Sequence, residues 1–238
     1  DKNGKLVAAN YFHCSTDNDF ATHAFPAHHV PNYRGEVIDS KVLPSGPWRG
    51  PTENVAGYAM QSFVDEMAHL AGKDPLQFRI DMFKDAGDTP APGFSSDIME
   101  ADRFINVLQI AAKNLGWGKE LPKGHGMGIA SFMTFGGYAA CAVEVKVDSD
   151  GTLTIINASG AADPGIAINP QGCRAQIESG TLDGFSAALG QAIELEEGRV
   201  INNNFDTYQM ARIGTSPHML TSEVVRNHID PKGLGEMS

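Results

Sequence analysis

The run YAACAVEVKVDSDGTLTIIN, residues 138–157, constrains the fold more than any other stretch. Val143, Val145 and Val147 alternate with Glu144 and Lys146, the two-residue period of a strand whose two faces differ. Asp148-Ser149-Asp150-Gly151 is a turn-forming tetrad, and TLTIIN then resumes β-type residues, so the segment predicts a hairpin. The tetrad superficially matches a calcium loop, but it lacks the downstream Glu ligand, which favours the turn. A sheet is therefore required, and helices must cover it.

Three helices precede it. One runs from about Glu53 to Leu70, with Val55, Ala59, Phe63, Met67 and Leu70 at helical spacing and Gly72 as its stop. Asp74-Pro75 starts the next, because Asp accepts free N–H groups and Pro suits the first helical position; it should reach about Phe83. After a loop from Ala86 to Ser96, the third spans about Ile98 to Leu115, with Ile98, Ala101, Ile105, Leu108, Ala112 and Leu115 as its stripe. Gly116 ends it.

Upstream, KLVAA and the GEVIDSKVL run (Gly35 to Leu43) read as strands. Downstream, Asn169-Pro170 opens a helix to about Leu189 with Gly180 and Gly184 on one face, which something must approach closely. An AIELEEGRVI hairpin, the aromatic NFDTYQM segment and a last strand before GLGE follow. The expected class is α+β, one region over 1–238, with a possible division into a helical part, 1–122, and a strand-rich part, 123–238.

Composition narrows the function. A net charge of -11 over 238 residues disfavours nucleic acid, whose phosphates call for clustered Lys and Arg. No apolar run reaches the roughly 20 residues of a membrane span. Cys14, Cys141 and Cys173 lack close C-x-x-C pairing, so they predict no zinc or iron–sulfur site and read as buried small side chains. His23, His28 and His29 cluster without a carboxylate or Cys at ligand spacing, so no protein-ligated metal is expected. The first residues, DKNGKLVAAN, lack an initiator Met and read as part of something longer.

Three places could carry chemistry. Trp48-Arg49-Gly50-Pro51 is a stiff loop that can present backbone N–H groups to an anion; the alternative is a surface Arg beside a buried Trp. Gln176, near Glu178 on the Gly-faced helix, can hold a ligand or simply pack. Glu236, behind Gly233-Leu234-Gly235, is either a carboxylate aimed into a pocket or a solvated charge.

Taken in order, GPWRGPTENVAGYAMQSFVDEMAHLAGKDPLQFRIDMF, GYAACAVEVKVDSDGTLTIINASGAADPGIAINPQGCRAQIESGTLDGFSAAL, GRVINNNFDTYQMARIGTSP and PKGLGE resemble the molybdenum hydroxylases. That family includes xanthine dehydrogenase and aldehyde oxidase. The likeness covers nearly the whole chain and is to the C-terminal part of the molybdopterin-binding large subunit. Within the family it is to the bacterial branch typified by the isoquinoline 1-oxidoreductase beta subunit.

The resemblance implies hydroxylation of an aldehyde or N-heteroaromatic substrate with water as the oxygen source. It implies a molybdopterin cofactor, in the cytosine dinucleotide form, and electrons passed to a small iron–sulfur subunit carrying the 2Fe-2S clusters. Glu236 falls on the family's general base. Arg49, Gly50, Gln176, Leu234 and Gly235 fall on cofactor-binding positions, and Pro51 stands where many relatives carry a substrate-clamping Phe. Ser179 replaces a frequent Gly, and the Gly-Gln-Gly and Gly-Gly-x-Phe-Gly cofactor segments do not occur in the chain. A periplasmic or a cytoplasmic location fits the family equally. The competing expectation is a non-catalytic binding or assembly module that keeps the fold without the cofactor.

Overall fold

The computed structural model describes residues 1–15, 27–40, 46–51, 53–90 and 98–236. His23, Pro44, the GEVIDSKVL run after Ser40 and the loop from 91 to 97 lie outside them. In chain order the elements are β1 (Ala8–Ser15), β2 (Asn32–Asp39), α1 (Glu53–Leu70), α2 (Pro75–Ala86), β3 (Thr89–Pro90), β4 (Ile98–Met99) and α3 (Ala101–Leu115). Then come β5 (His125–Thr134), β6 (Gly137–Val147), β7 (Leu153–Asp163), α4 (Pro170–Leu189), β8 (Leu195–Glu196), β9 (Arg199–Val200) and β10 (Met219–Val224).

The class is α+β, mixed helices and strands. Its centre is a four-stranded sheet in the order β10-β7-β6-β5. The expected hairpin is the antiparallel β6–β7 pair, bulged at Glu144/Val145. β10 joins β7 in parallel. β1 and β2 also pair in parallel, while β8 and β9 form a small antiparallel hairpin.

Side-chain alternation along the central strands splits the sheet into two faces. Ile129, Met133, Tyr138, Ala140, Ala142 and Ala161 share one face and join the core with α1, α2 and α3. Phe83, Phe104 and Tyr138 pack edge-on there, with ring centroids 4.4 Å and 5.6 Å apart. That single core takes in residues from Met60 to Ala161. The opposite face presents Ala139 and Ala162 to Ile177 of α4.

Local signals placed the helix ends. Asp74 accepts from the Gln77 amide at 2.9 Å, and Asn169 accepts from the Gly172 amide at 3.0 Å. Gly116 closes α3 in the left-handed region.

Packing corrected several expectations. The buried line of α1 is Ala56, Met60, Val64 and Ala68 with Gln61, whereas Val55 and Leu70 are exposed. Gln61 is drawn inward because the buried Arg79 donates to its side chain at 2.8 Å. Helix α3 begins at Ala101, since Ile98 and Met99 instead pair with Thr89 and Pro90. On β6 it is Glu144 that is buried, ringed by Lys119 at 2.7 Å, His125 at 2.9 Å and Asn157 at 3.5 Å. Cys14 is exposed rather than buried.

At the seam between the sheet and α4 it is Gly160 on β7 that close approach requires, since a Cβ there would sit 2.4 Å from Ile177 Cγ2. At Gly184 a Cβ would meet nothing within 4 Å. His29 is part-buried, edge-on against Phe83, and desolvation pushes its imidazole down to about 4. No helix among the described residues is long and apolar enough to cross a membrane.

Candidate functional site

The sheet face turned away from α3 is paved with small residues: Gly128, Ala130, Ala139 and Gly160 line a cavity of about 470 Å³. Its walls are α1, through Glu53, Gly57 and Tyr58, and α4, through Ile177, Gly180, Thr181 and Gly184. Trp48, Arg49 and Glu236 also line it. The small floor explains the space, since larger side chains on these strands would fill it. Cys141 lies on the same floor, where burial pushes its thiol up to about 11.

Arg49 joins pieces of chain far apart in sequence. Its Nε donates to Gly235 O at 2.6 Å. Nη1 donates to Ser179 Oγ at 3.0 Å and Asp183 Oδ2 at 2.8 Å. Nη2 donates to Gln176 O at 3.2 Å and Gln176 Oε1 at 3.1 Å. The alternative of a surface Arg beside a buried Trp is reversed: the Arg49 side chain is 21% exposed and Trp48 is 49% exposed. Behind Arg49, Gly50 takes φ +64, and a Cβ there would stand 3.3 Å from Glu236 O. Asn54 secures the loop by donating to Arg49 O at 3.3 Å and, from its backbone, to Gly50 O at 3.0 Å.

A strap of backbone bonds carries Glu236 here. After β10, Val225 N donates to Ala162 O at 2.8 Å, Ile166 N to Ile229 O at 2.8 Å, Lys232 N to Pro164 O at 2.7 Å and Gly233 N to Phe135 O at 3.3 Å. Asp163 anchors the strap's bed. Burial alone would raise its carboxyl, but Arg103, the Gly165 amide and Asn227 hold it below the usual range. Leu234 packs on Ala139, Ala162 and Ile177.

The structure thus brings Arg49, Gly50, Gln176, Leu234, Gly235 and Glu236 to one place. Pro51 is part-buried in the same loop and is not among the cavity-lining residues. Glu178 turns to β10, where Ser222 Oγ donates to it at 2.6 Å.

Three further residues belong to this place. Glu53 lines the cavity, accepts from Thr134 Oγ1 at 3.4 Å, and is raised above the usual carboxylate range, first by burial and also by the charge of Glu236. In the sequence it is an ordinary acid in a first helical turn, which gives no signal. Ser179 and Asp183 did leave one: with Gln176 they fall at spacings of three and four, one face of a helix.

The molybdopterin cofactor-binding domain family matches residues 59–217 of this chain. The membrane-bound aldehyde dehydrogenase (pyrroloquinoline-quinone) of Gluconacetobacter polyoxogenes is 30% identical over 84% of this chain and 26% of its own length. A nicotinate dehydrogenase subunit of Pseudomonas putida is 24% identical over 90% of this chain and 18% of its own length. The chain therefore spans about a quarter or less of these curated relatives. In structure it superposes on quinoline 2-oxidoreductase from Pseudomonas putida 86 with a TM-score of 0.72, covering 99% of this chain and 56% of that one at 10% identity. At that identity the likeness establishes the fold.

Proposed function

The chain belongs to the molybdopterin cofactor-binding domain family, and from that premise we propose that it is part of the large subunit of a molybdenum-dependent oxidoreductase. The proposed reaction is hydroxylation of an aldehyde or N-heteroaromatic substrate with water as the oxygen source. Electrons would leave to a small iron–sulfur subunit, and the cofactor would be molybdopterin in its cytosine dinucleotide form. Residues 1–238 would act as one region of that large subunit, with 1–122 and 123–238 as its helical and strand-rich parts.

The observation that carries this reading is that Arg49 and Glu236 line one cavity while the Arg49 side chain binds Gln176 and Gly235, 127 and 186 residues away along the chain. The residues present fit the reacting end of such a cofactor. That end calls for a base, an amide and a close backbone approach; here the Glu236 carboxylate lines the cavity, the Gln176 amide stands beside it against the Arg49 guanidinium, and a Cβ on Gly50 would crowd the Glu236 carbonyl. When bound, the molybdenum centre supplies the oxygen transfer and takes up the electrons.

The remaining work falls to the chain. The Arg49-Gly50 backbone and Gln176 would orient the cofactor, and the apolar floor of Ala130, Phe132 and Ala139 would exclude water from a planar substrate. Glu236 Oε would take up the proton that water gives up as its oxygen is transferred. Glu53 supplies a second carboxyl at the cavity, raised above the usual carboxylate range first by burial and also by the charge of Glu236.

The test is Glu236→Gln in the full-length protein, with molybdenum and pterin content measured on the same sample. Turnover should fall by about 100- to 10,000-fold with cofactor content retained. Turnover near wild type would remove Glu236 as base. A full-length complex without pterin would favour the non-catalytic module instead.

A further inference from the structure

A guanidinium has five N–H donors in a fixed planar fork. In Arg49 five acceptors meet that fork: Gly235 O, Ser179 Oγ, Asp183 Oδ2, Gln176 O and Gln176 Oε1. The side chain is therefore matched to protein atoms and has no N–H to offer a ligand. Four of the five acceptors belong to one face of α4, and the fifth is the carbonyl beside Glu236. The backbone strap makes its last bond at Gly233, through a 3.3 Å contact to Phe135 O. Beyond it, among the described residues, the polar tie to the turn is the 2.6 Å bond from Arg49.

We propose that Asp183 and Ser179 are positioning residues that act through the Arg49 guanidinium to hold the turn carrying Glu236 against α4. Asp183 sets the fork's rotation by an ion pair, Ser179 fills the second Nη1 direction, and Nε is left aimed at Gly235 O. The clasp also fixes Gln176, whose side-chain oxygen accepts from the same guanidinium, so one cation sets the spacing between amide and carboxylate. The catalytic consequence rests on the role of Glu236 proposed above; the clasp itself does not.

Hydrogen–deuterium exchange on the full-length protein tests it, with α3 (Ala101–Leu115) as internal reference. Asp183→Asn keeps the shape and removes the charge, and because the pair is partly exposed, amides of 230–236 should exchange about 3- to 10-fold faster. Arg49→Ala removes all five bonds and should accelerate the same amides about 10- to 100-fold, with α3 unchanged. Guanidinium ion at millimolar concentration should slow them again in Arg49→Ala and leave wild type unaffected. Unchanged exchange at 230–236 in both variants overturns the proposal. So does acceleration spread equally over α3 in Asp183→Asn, which would report a damaged fold. Glu236→Gln should leave this exchange unchanged, so failure of the base role and failure of the clasp are read on separate variants.

Discussion

Arg79 and Arg49 perform the same task at different ranges. The Arg79 side chain is 0% exposed and donates to Gln61 Oε1 and Gln61 O, Asp65 Oδ1 and Pro75 O. Its acceptors lie 4 to 18 residues away and tie α1 to α2, consecutive in the chain. Arg49 reaches acceptors 127 to 186 residues away, and its clasp can form only once α4 and the strap have docked on the sheet. The first arginine is fully buried within a local unit. The second closes a seam between parts that the sheet must first bring together, and it remains partly open to solvent. The difference teaches that an arginine's importance to the fold follows from the range and burial of its partners, while its importance to the site follows from what the last partner carries.

The largest effect expected from this contrast is on the local unit. Arg79→Met should cost about 3 kcal/mol, because the buried Gln61 loses its donor and Asp65 its cation. The denaturation midpoint measures this, and a loss well under about 1 kcal/mol would break the contrast.

Next comes the bed of the strap. Gly165 has φ +74, and a Cβ there would lie 2.4 Å from Asp230 O. Gly165→Ala should cost about 2 kcal/mol from backbone strain and displacement. Proteolysis within 225–236 should rise while the α1–α2 unit stays resistant. Equal cleavage everywhere would show the strap and the α1–α2 unit to be one cooperative block.

The smallest effect is electrostatic and pH-bound. Glu144 is held below the usual carboxylate range, first by the hydrogen bond from Lys119 and then by that from His125. Its folded value being depressed, its stabilisation is complete above the unfolded value of about 4.3 and is lost as pH falls through the folded one. Wild type should therefore lose about 1 kcal/mol more than Glu144→Gln between about pH 5 and pH 3. Parallel midpoints across that range would show the carboxylate to be unpaired in solution.

Much of the architecture was legible because its signals are short-range. The bounds of α1 at Glu53 and Leu70, the caps at Asp74 and Asn169, and the β6–β7 hairpin depend on a few adjacent residues each. Burial was less legible. Period alone favoured Val55 and Leu70 on α1, yet both are exposed, because the partner surface rather than the stripe decides which side faces inward. Alternation put Glu144 with Lys146 on the face opposite the valines, and only the fold, bringing Lys119 and His125 beside it, shows that it is buried. Arg49, Gln176 and Glu236 were singled out through a family resemblance, and the structure gathers them at one place; no local pattern separates Glu236, which is exposed at the cavity's edge, from a solvated acid. Glu53 had no signal at all, since its character comes from burial and from Glu236.

The sequence by itself determined most of the elements: the bounds of α1, the starts of α2 and α4, the end of α3, which strands pair across the DSDG turn, and which residue types could do acid–base work. These follow from backbone geometry and side-chain chemistry within a few residues. Only the tertiary structure decided that Arg49 faces Asp183, that Gly160 receives Ile177, and that Glu236 reaches the cavity. The physical reason is range. A guanidinium carries no record in its own neighbourhood of acceptors more than a hundred residues away, and those acceptors come within reach only after the sheet has closed between them.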